Sequence, residues 1–196
     1  MEKYTKNEPI YFVDVETTGL DHRRDRIIEF CIIKSVAGHF IESVTYKVDP
    51  EGMRIHPEAQ KVNGYSFQKW RDAISQQQAA GIIADFMRDT GVMCSHNVSF
   101  DAGFINTLLL KHGYRKQARR KIDTYTLAYE HLVPLGLKNL SFDEIRRFMG
   151  WKVHGHHDAK TDTFDLFRFY KRVNRMGMST KLYLYVRSIS YRMKTP

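Results

Sequence analysis

Five side chains carry the chemistry this sequence is equipped for. Asp14 and Glu16 lie two residues apart in the run YFVDVETTGL, Asp101 lies in SHNVSFDAGF, and His157 and Asp162 lie in GHHDAKTDTF. In a strand, residues i and i+2 share a face, so Asp14 and Glu16 point one way while Val13 and Val15 point the other. Adjacent carboxylates repel, and burying either one unpaired is costly. A divalent cation removes that penalty, and oxygen-only ligands point to Mg²⁺ or Mn²⁺ rather than zinc. Taken alone, the pair also fits an exposed edge strand with solvated acids. Asp162 shares a helical stripe with Ala159, Leu166 and Phe169, an acid on an otherwise core-facing side; alone it also fits a solvated boundary residue. Four such acids in one small domain are harder to dismiss. His157, in the loop before that helix, has an ordinary pKa of about 6.5, which suits a general base.

These side chains need a scaffold. PIYFVDVETTG reads as a first strand ended by a Gly turn, DRIIEFCIIKSV as a second, and HFIESVTYKVDP as a third stopped by Pro50. Their short links suggest an antiparallel meander. Residues 51–67 carry loop chemistry with short helical turns. From Trp70 to about Thr90, Ile74, Ile82, Ile83, Phe86 and Met87 indicate an amphipathic helix, in the second half at least. VMCSH is a short strand, and Ser99 is a candidate cap for a helix to about His112, in which Phe100, Phe104 and Leu108 recur every fourth residue. RKQARRK is a surface charge run, and IDTYTLAYEHL begins as a strand and becomes a helix. SFDEIRRFMG has capping-box spacing at Ser141 and Glu144 with Gly150 as its stop, and DAKTDTFDLFRFYKRV is a further helix. Alternating strands and helices in this order define an α/β domain.

The 196 residues suggest one compact domain, and 42% hydrophobic with 27% charged residues is an ordinary globular composition. No apolar run approaches the roughly 20 residues of a membrane span, and MEKYTKNEPI lacks the apolar core of a secretory signal. Cys31 and Cys94 sit in apolar runs and read as reduced core residues, so a cytoplasmic location is expected. The excess of 31 Lys and Arg over 22 Asp and Glu, a net +9, favours a polyanionic partner such as nucleic acid or an anionic membrane surface. A merely basic soluble protein carries the same charge.

At the five side chains the sequence resembles the DnaQ-like exonucleases of the DEDDh type, in the RNase H-like superfamily. The first motif, D-x-E-T-T-G, matches Asp14–Gly19; the second, H-N-x-x-F-D, matches His96–Asp101; the third, H-x-A-x-x-D, matches His157–Asp162. The resemblance runs from about Pro9 to Tyr170, with HPEAQKVNG similar to the family's connecting segment. It implies an RNase H-like fold with a central mixed five-stranded sheet flanked by helices. It also implies a 3′→5′ exonuclease using two divalent cations, Mg²⁺ or Mn²⁺, and no organic cofactor. By the resemblance, Asp14, Glu16 and Asp162 hold the first ion, Asp14 bridges to the second with help from Asp101, and His157 takes a proton from the attacking water. The match of Ala159 and Asp162 assigns the base role to His157 and leaves His156 as a loop residue. Thr17, Thr18 and Leu20 resemble the cradle for the terminal nucleotide, with Leu20 wedged against the last bases. Asn97 and Phe100 would line the pocket, although Phe100 also reads as a helix-core residue. Proofreading subunits carry V-H-G where this chain has Val62-Asn63-Gly64, which puts in doubt an imidazole contact there.

In DHRRDR, Arg23, Arg24 and Arg26 are candidate contacts to backbone phosphates, or belong to a solvated turn. The expected partner is a single-stranded 3′ end, DNA favoured over RNA, with a DNA polymerase or another replication or repair protein as a further candidate and no membrane. A non-catalytic nucleic-acid-binding module and a nuclease for very short RNA are the competing readings. The domain is taken as residues 1–175, with 176–196 a basic, aromatic extension packed on it or continuing it. There Tyr183, Tyr185 and Tyr191 alternate with Arg187, Arg192 and Lys194, which suits single-stranded nucleic acid, an added strand or a docking segment.

Overall fold

The structure, a computed structural model, describes residues 7–117, 120–174 and 178–194. The first six residues, Ala118 and Arg119 of the basic run, and the boundary placed at 175–176 lie outside the described residues, as does the Lys194 side chain.

Among the described residues, five strands form one mixed sheet: β1 (Ile10–Thr17), β2 (Ile27–Val36), β3 (His39–Lys47), β4 (Val92–Ser95) and β5 (Arg120–Asp123), in the order β3-β2-β1-β4-β5. The first three make the expected antiparallel meander; β4 runs parallel to β1, and β5 parallel to β4. The β2–β3 hairpin turns on Ala37 and Gly38, both at positive φ, as a tight hairpin of this hand requires. Period-two alternation sorts β1 between two cores. Tyr11, Val13 and Val15 pack with Ile32 and Met93 under α2 (Gln76–Phe86) and α3 (Val98–Lys111). Phe12 packs with Ile33 and Cys94 under α4 (Thr124–Leu132), α5 (Phe142–Met149) and α6 (Ala159–Asn174). Both cysteines are buried and free. No described helix is long and apolar enough to cross a membrane.

The helix expected within residues 70–90 forms over Gln76–Phe86, where Ser75 and Gln78 close a capping box; Trp70 lies buried in a turn ahead of it and donates its indole N–H to the Ile28 carbonyl at 2.6 Å. Two expectations need correction. Helix α3 starts at Val98, and Ser99 does not cap it. The carboxylate of Asp123 does, accepting the N–H groups of Asn97 (2.9 Å) and Val98 (3.3 Å) while also capping α4. A cap brought from another strand leaves no local spacing to read. At α5, Ser141 accepts the Glu144 N–H at 3.2 Å, but the Glu144 side chain turns to Arg147 and Tyr191, so only half of a capping box forms; Gly150, in the left-handed region, ends the helix.

The alternation of tyrosine and arginine after residue 180 is explained by α7 (Met178–Lys194), which packs on α5. Leu184, Ser188 and Tyr191 are buried. Tyr183 donates to the Met149 carbonyl at 3.2 Å, and Arg187 to that of Phe148 at 3.1 Å. Both are among the last carbonyls of α5, which have no partner within their own helix. Tyr185, by contrast, faces solvent. Leu184→Ala is expected to lower unfolding free energy by roughly 2–5 kcal/mol, read from the midpoint of chemical denaturation; an unchanged midpoint would show α7 contributing nothing to stability.

Candidate active site

A cavity of about 840 Å³ opens at the C-terminal end of β1, and Asp14, Glu16, Asp101, His157 and Asp162 all line it. They arrive by four routes, Asp14 and Glu16 together on β1. A bulge between Glu16 and Thr17, where Glu16 faces Glu29 but Thr17 faces Ile27, bends the strand as its acids reach the cavity. Asp101, in the first turn of α3, accepts the Val15 N–H at 3.1 Å and the Ser95 hydroxyl at 2.5 Å, which ties that helix to β1 and β4. Asp162, in the first turn of α6, accepts from Arg146 through Oδ1 at 2.5 Å and faces His157 Nδ1 through Oδ2 at 3.0 Å. Ligand atoms of Glu16, His157 and Asp162 lie within 4.8 Å of one another, close enough to share one cation; Asp14 and Asp101 lie outside this tightest group.

The loop carrying His157 is tethered through α1 (Pro57–Asn63). His157 N–H donates to the Val62 carbonyl at 2.9 Å, and the neighbouring His156 ring approaches Gly64 and the Lys61 carbonyl. The connecting segment also holds the end of β1 and the turn after it: Asn63 donates to the Thr17 carbonyl at 3.2 Å and His56 N–H to the Thr18 carbonyl at 2.8 Å. Asn63 is buried, and its amide is occupied with backbone where the proofreading subunits place a histidine.

The turn itself is built around Asp25, which accepts from Thr18 Oγ1 at 3.0 Å and from Asp21 N–H at 2.9 Å. A Cβ at position 19 would sit 2.5 Å from the Asp25 carboxylate, so only glycine fits there. Thr17, Leu20 and Phe100 line the cavity, with Leu20 projecting 86% exposed. Phe100 is half-buried against Phe104 with ring centroids 4.9 Å apart, so it serves core and cavity together. Thr18 is fully buried and turned into the turn, and Asn97 is an exposed left-handed residue; neither lines the cavity. Arg23 and Arg24 are exposed, Arg24 on the cavity rim within 3.7 Å of Asp21. Arg26 is engaged with the Pro50 carbonyl at 2.8 Å and the Glu51 carboxylate at 3.0 Å, which sets it apart from the other two.

Charge is concentrated at this site. Burial, then Asp101, Asp162 and Glu16, push Asp14 well above the usual carboxylate range. Burial raises Glu16 to about 8, against an opposing pull from His157. Asp101 rises to about 7 through burial, despite its hydrogen bonds from Ser95 and Val15. Glu29, across from Glu16 on β2, is raised to about 7 by burial and the nearby Asp158. Asp162 behaves differently: burial pushes it up, but His157 and Arg146 outweigh burial and hold it below its ordinary value. The same bond to Asp162 raises His157, against burial.

A pH dependence follows. Glu16 and Asp101 bind protons more tightly folded than unfolded, so without cations stability should fall as pH rises from about 4 through about 7 and 8. The raised His157 acts in the same direction, its contribution being present below about 6.5 and lost through its higher folded value. The contribution of the depressed Asp162 is lost only below about 4, outside this window. Melting curves in EDTA should therefore show lower transition temperatures at pH 8 than at pH 5.5, with added Mn²⁺ reversing the trend. A flat or rising EDTA series would contradict it.

Four residues of this site escaped the sequence reading: Arg146, Asp25, Asp123 and Glu29. Arg146 carried a legible signal, since Phe142, Ile145, Arg146 and Met149 form one helical stripe with a charge on its core side, the same pattern that singled out Asp162. Asp25, Asp123 and Glu29 act through chain reversals and strand pairing that no local spacing records.

The central strand of the mixed sheet thus ends in paired acids, with two helix-borne aspartates and a histidine beside them on one cavity. Residues 11–170 match the RNase_T exonuclease family, and the chain belongs to it. That family is one of exonucleases. Over 150 residues it is 31% identical to a PolC-type DNA polymerase III of Pediococcus pentosaceus, covering 76% of this chain and 10% of the relative. It is 27% identical over 151 residues to a DNA polymerase III subunit epsilon of Treponema pallidum, covering 76% of this chain and 68% of the relative. The chain thus spans about a tenth of the PolC-type relatives. Escherichia coli exonuclease I in complex with single-stranded DNA shares the fold at a TM-score of 0.76 and 20% identity, over 91% of this chain and 43% of that one.

Proposed function

We propose that this chain removes nucleoside monophosphates from the 3′ end of single-stranded DNA, with two divalent cations and His157 as general base. The observation that carries the reading is the convergence of Asp14, Glu16, Asp101, Asp162 and His157 on one cavity from a strand, two helices and a tethered loop. The donor set fits hard divalent cations: four carboxylates, three of them pushed upward in pKa by burial among like charges, a repulsion that Mg²⁺ or Mn²⁺ would relieve. Asp14, Glu16 and Asp162 would hold one ion, and Asp14 with Asp101 the other. Bound there, such ions supply charge for the attacking and leaving oxygens of an in-line displacement.

The chain's own groups supply the rest. His157, raised in pKa and held by its backbone bond to Val62, would take the proton of the attacking water. Leu20, exposed at the mouth, would wedge against the last base, and Phe100 would offer a stacking face within the cavity. Thr17 lines the nucleotide cradle, while Thr18 and Asn97 would serve through backbone rather than side chain. Arg23 and Arg24 are the candidate phosphate contacts, Arg26 having other partners. Helix α7 is read as part of the same domain, and the two buried free thiols agree with a cytoplasmic enzyme. The similarity to polymerase III chains favours DNA and makes a replicative polymerase the candidate protein partner.

The test uses 5′-labelled single-stranded DNA and RNA incubated with Mg²⁺, Mn²⁺ or EDTA. Ladders shortened from the 3′ end, stronger on DNA and abolished by EDTA, are expected. Shortening of RNA alone would transfer the reading to an exoribonuclease, and no metal-dependent shortening of either would leave a binding module.

A further inference from the structure

We infer that Arg146 is a positioning residue for the reaction: it fixes one oxygen of Asp162, so that the carboxylate offers a cation only the other. The inference rests on the proposed role of Asp162 as a metal ligand. The side chain of Arg146, only 1% exposed, sits between α5 and α6 and bonds three carboxylates through three different nitrogens. Nη1 reaches Asp143 at 3.0 Å, Nη2 reaches Asp162 Oδ1 at 2.5 Å, and Nε reaches Asp165 at 2.9 Å. Its guanidinium lies 4.8 Å from the Phe142 ring, which closes one face. A rigid planar fork held at every nitrogen cannot swing, so the carboxylate it grips is also held.

A carboxylate on Cβ has a soft terminal torsion, and Asp162 has none of the strand bonding that orients the β1 acids. Arg146 takes Oδ1, which turns Oδ2 toward His157 Nδ1 at 3.0 Å and into the group with Glu16. A lone arginine would have the drawback of placing a positive charge beside a cation site. Asp143 and Asp165 offset it, since Arg146 with these two carries a net negative charge and still orients Asp162. The unit is itself braced from behind. Helix α7 secures α5 through Tyr183 and Arg187 at its end and through Tyr191, which donates to Glu144 two residues before Arg146.

The experiment compares Mn²⁺ binding by titration calorimetry in the parent protein and two variants. Arg146→Lys keeps the charge and loses the fork. The triple variant Arg146→Leu, Asp143→Asn, Asp165→Asn removes the whole unit together with the two other carboxylates that Arg146 pairs, and leaves Asp162 with His157 as its partner. Both are expected to bind Mn²⁺ about tenfold or more weakly, as loss of a partner that orients a metal ligand does, with most turnover restored at saturating Mn²⁺. Circular dichroism establishes that each variant is folded, and the triple variant stands in should the lysine variant fail to fold. A folded variant that binds Mn²⁺ within about twofold of the parent overturns the inference while leaving the proposed function standing. A parent that binds no Mn²⁺ removes the proposed function, and this inference with it.

Discussion

Asp14→Asn should abolish metal-dependent shortening of a 3′ end and, in the same molecule, raise stability in EDTA. Asp14 is the one acid proposed to serve both cations, and charge stabilisation by bound metal is worth several kcal/mol. At 1.36 kcal/mol per factor of ten, the loss should be at least about a thousandfold. Stability should move the other way because burial, Asp101, Asp162 and Glu16 all oppose charge at Asp14. An amide of nearly the same shape removes that repulsion without opening a cavity. The paired measurement separates a lost ligand from a damaged fold: activity falls while the EDTA melting temperature rises. Retention of more than about a tenth of parental activity, a loss of under 1.4 kcal/mol, would remove Asp14 from the metal site.

His157→Ala should lower single-turnover rates by about 10²–10⁴, the usual contribution of a positioned general base. Its effect on cation binding should be opposite to that of Asp14→Asn. In the metal-free protein His157 occupies Asp162 Oδ2, so its removal frees a ligand oxygen, and Mn²⁺ affinity should hold or increase. The backbone bond from residue 157 to Val62 does not depend on the side chain, so the loop should keep its place. Rates measured at saturating Mn²⁺ and at several pH values test the assignment. Full activity in this variant would transfer the base role elsewhere, with His156 the nearest alternative in sequence.

Much of this site was legible before any coordinates, for a physical reason. Strand periodicity puts Asp14 and Glu16 on one face and helix periodicity puts Asp162 on a core-facing stripe, and the match to three family motifs set these acids apart from solvated ones. The meander was equally readable, because alternation in β1 to β3 and the turn residues between them are local. Where the reading missed, the deciding interaction came from elsewhere in the chain. The start of α3 was misplaced because its cap is Asp123, from the end of β5. The extent of α2 toward Trp70 was left open, and there the indole finds a partner on β2. The tail stayed ambiguous since tyrosines and arginines at that spacing suit nucleic acid as well as the unbonded carbonyls of α5.

Taken alone, the sequence determined the fold class, the order of the strands along the chain, and the five side chains suited to hold cations and move a proton. The fold class and strand order follow from residue type and periodicity, which every short window of chain records, and the five side chains stand out through their match to three family motifs. Only the tertiary structure decided how those side chains are held. Val62 fixes the loop of His157, Asp25 shapes the turn that needs Gly19, and Arg146 selects which oxygen of Asp162 faces the site. These are contacts between segments distant in sequence, set by packing of helices on the sheet, and no spacing within one segment encodes them.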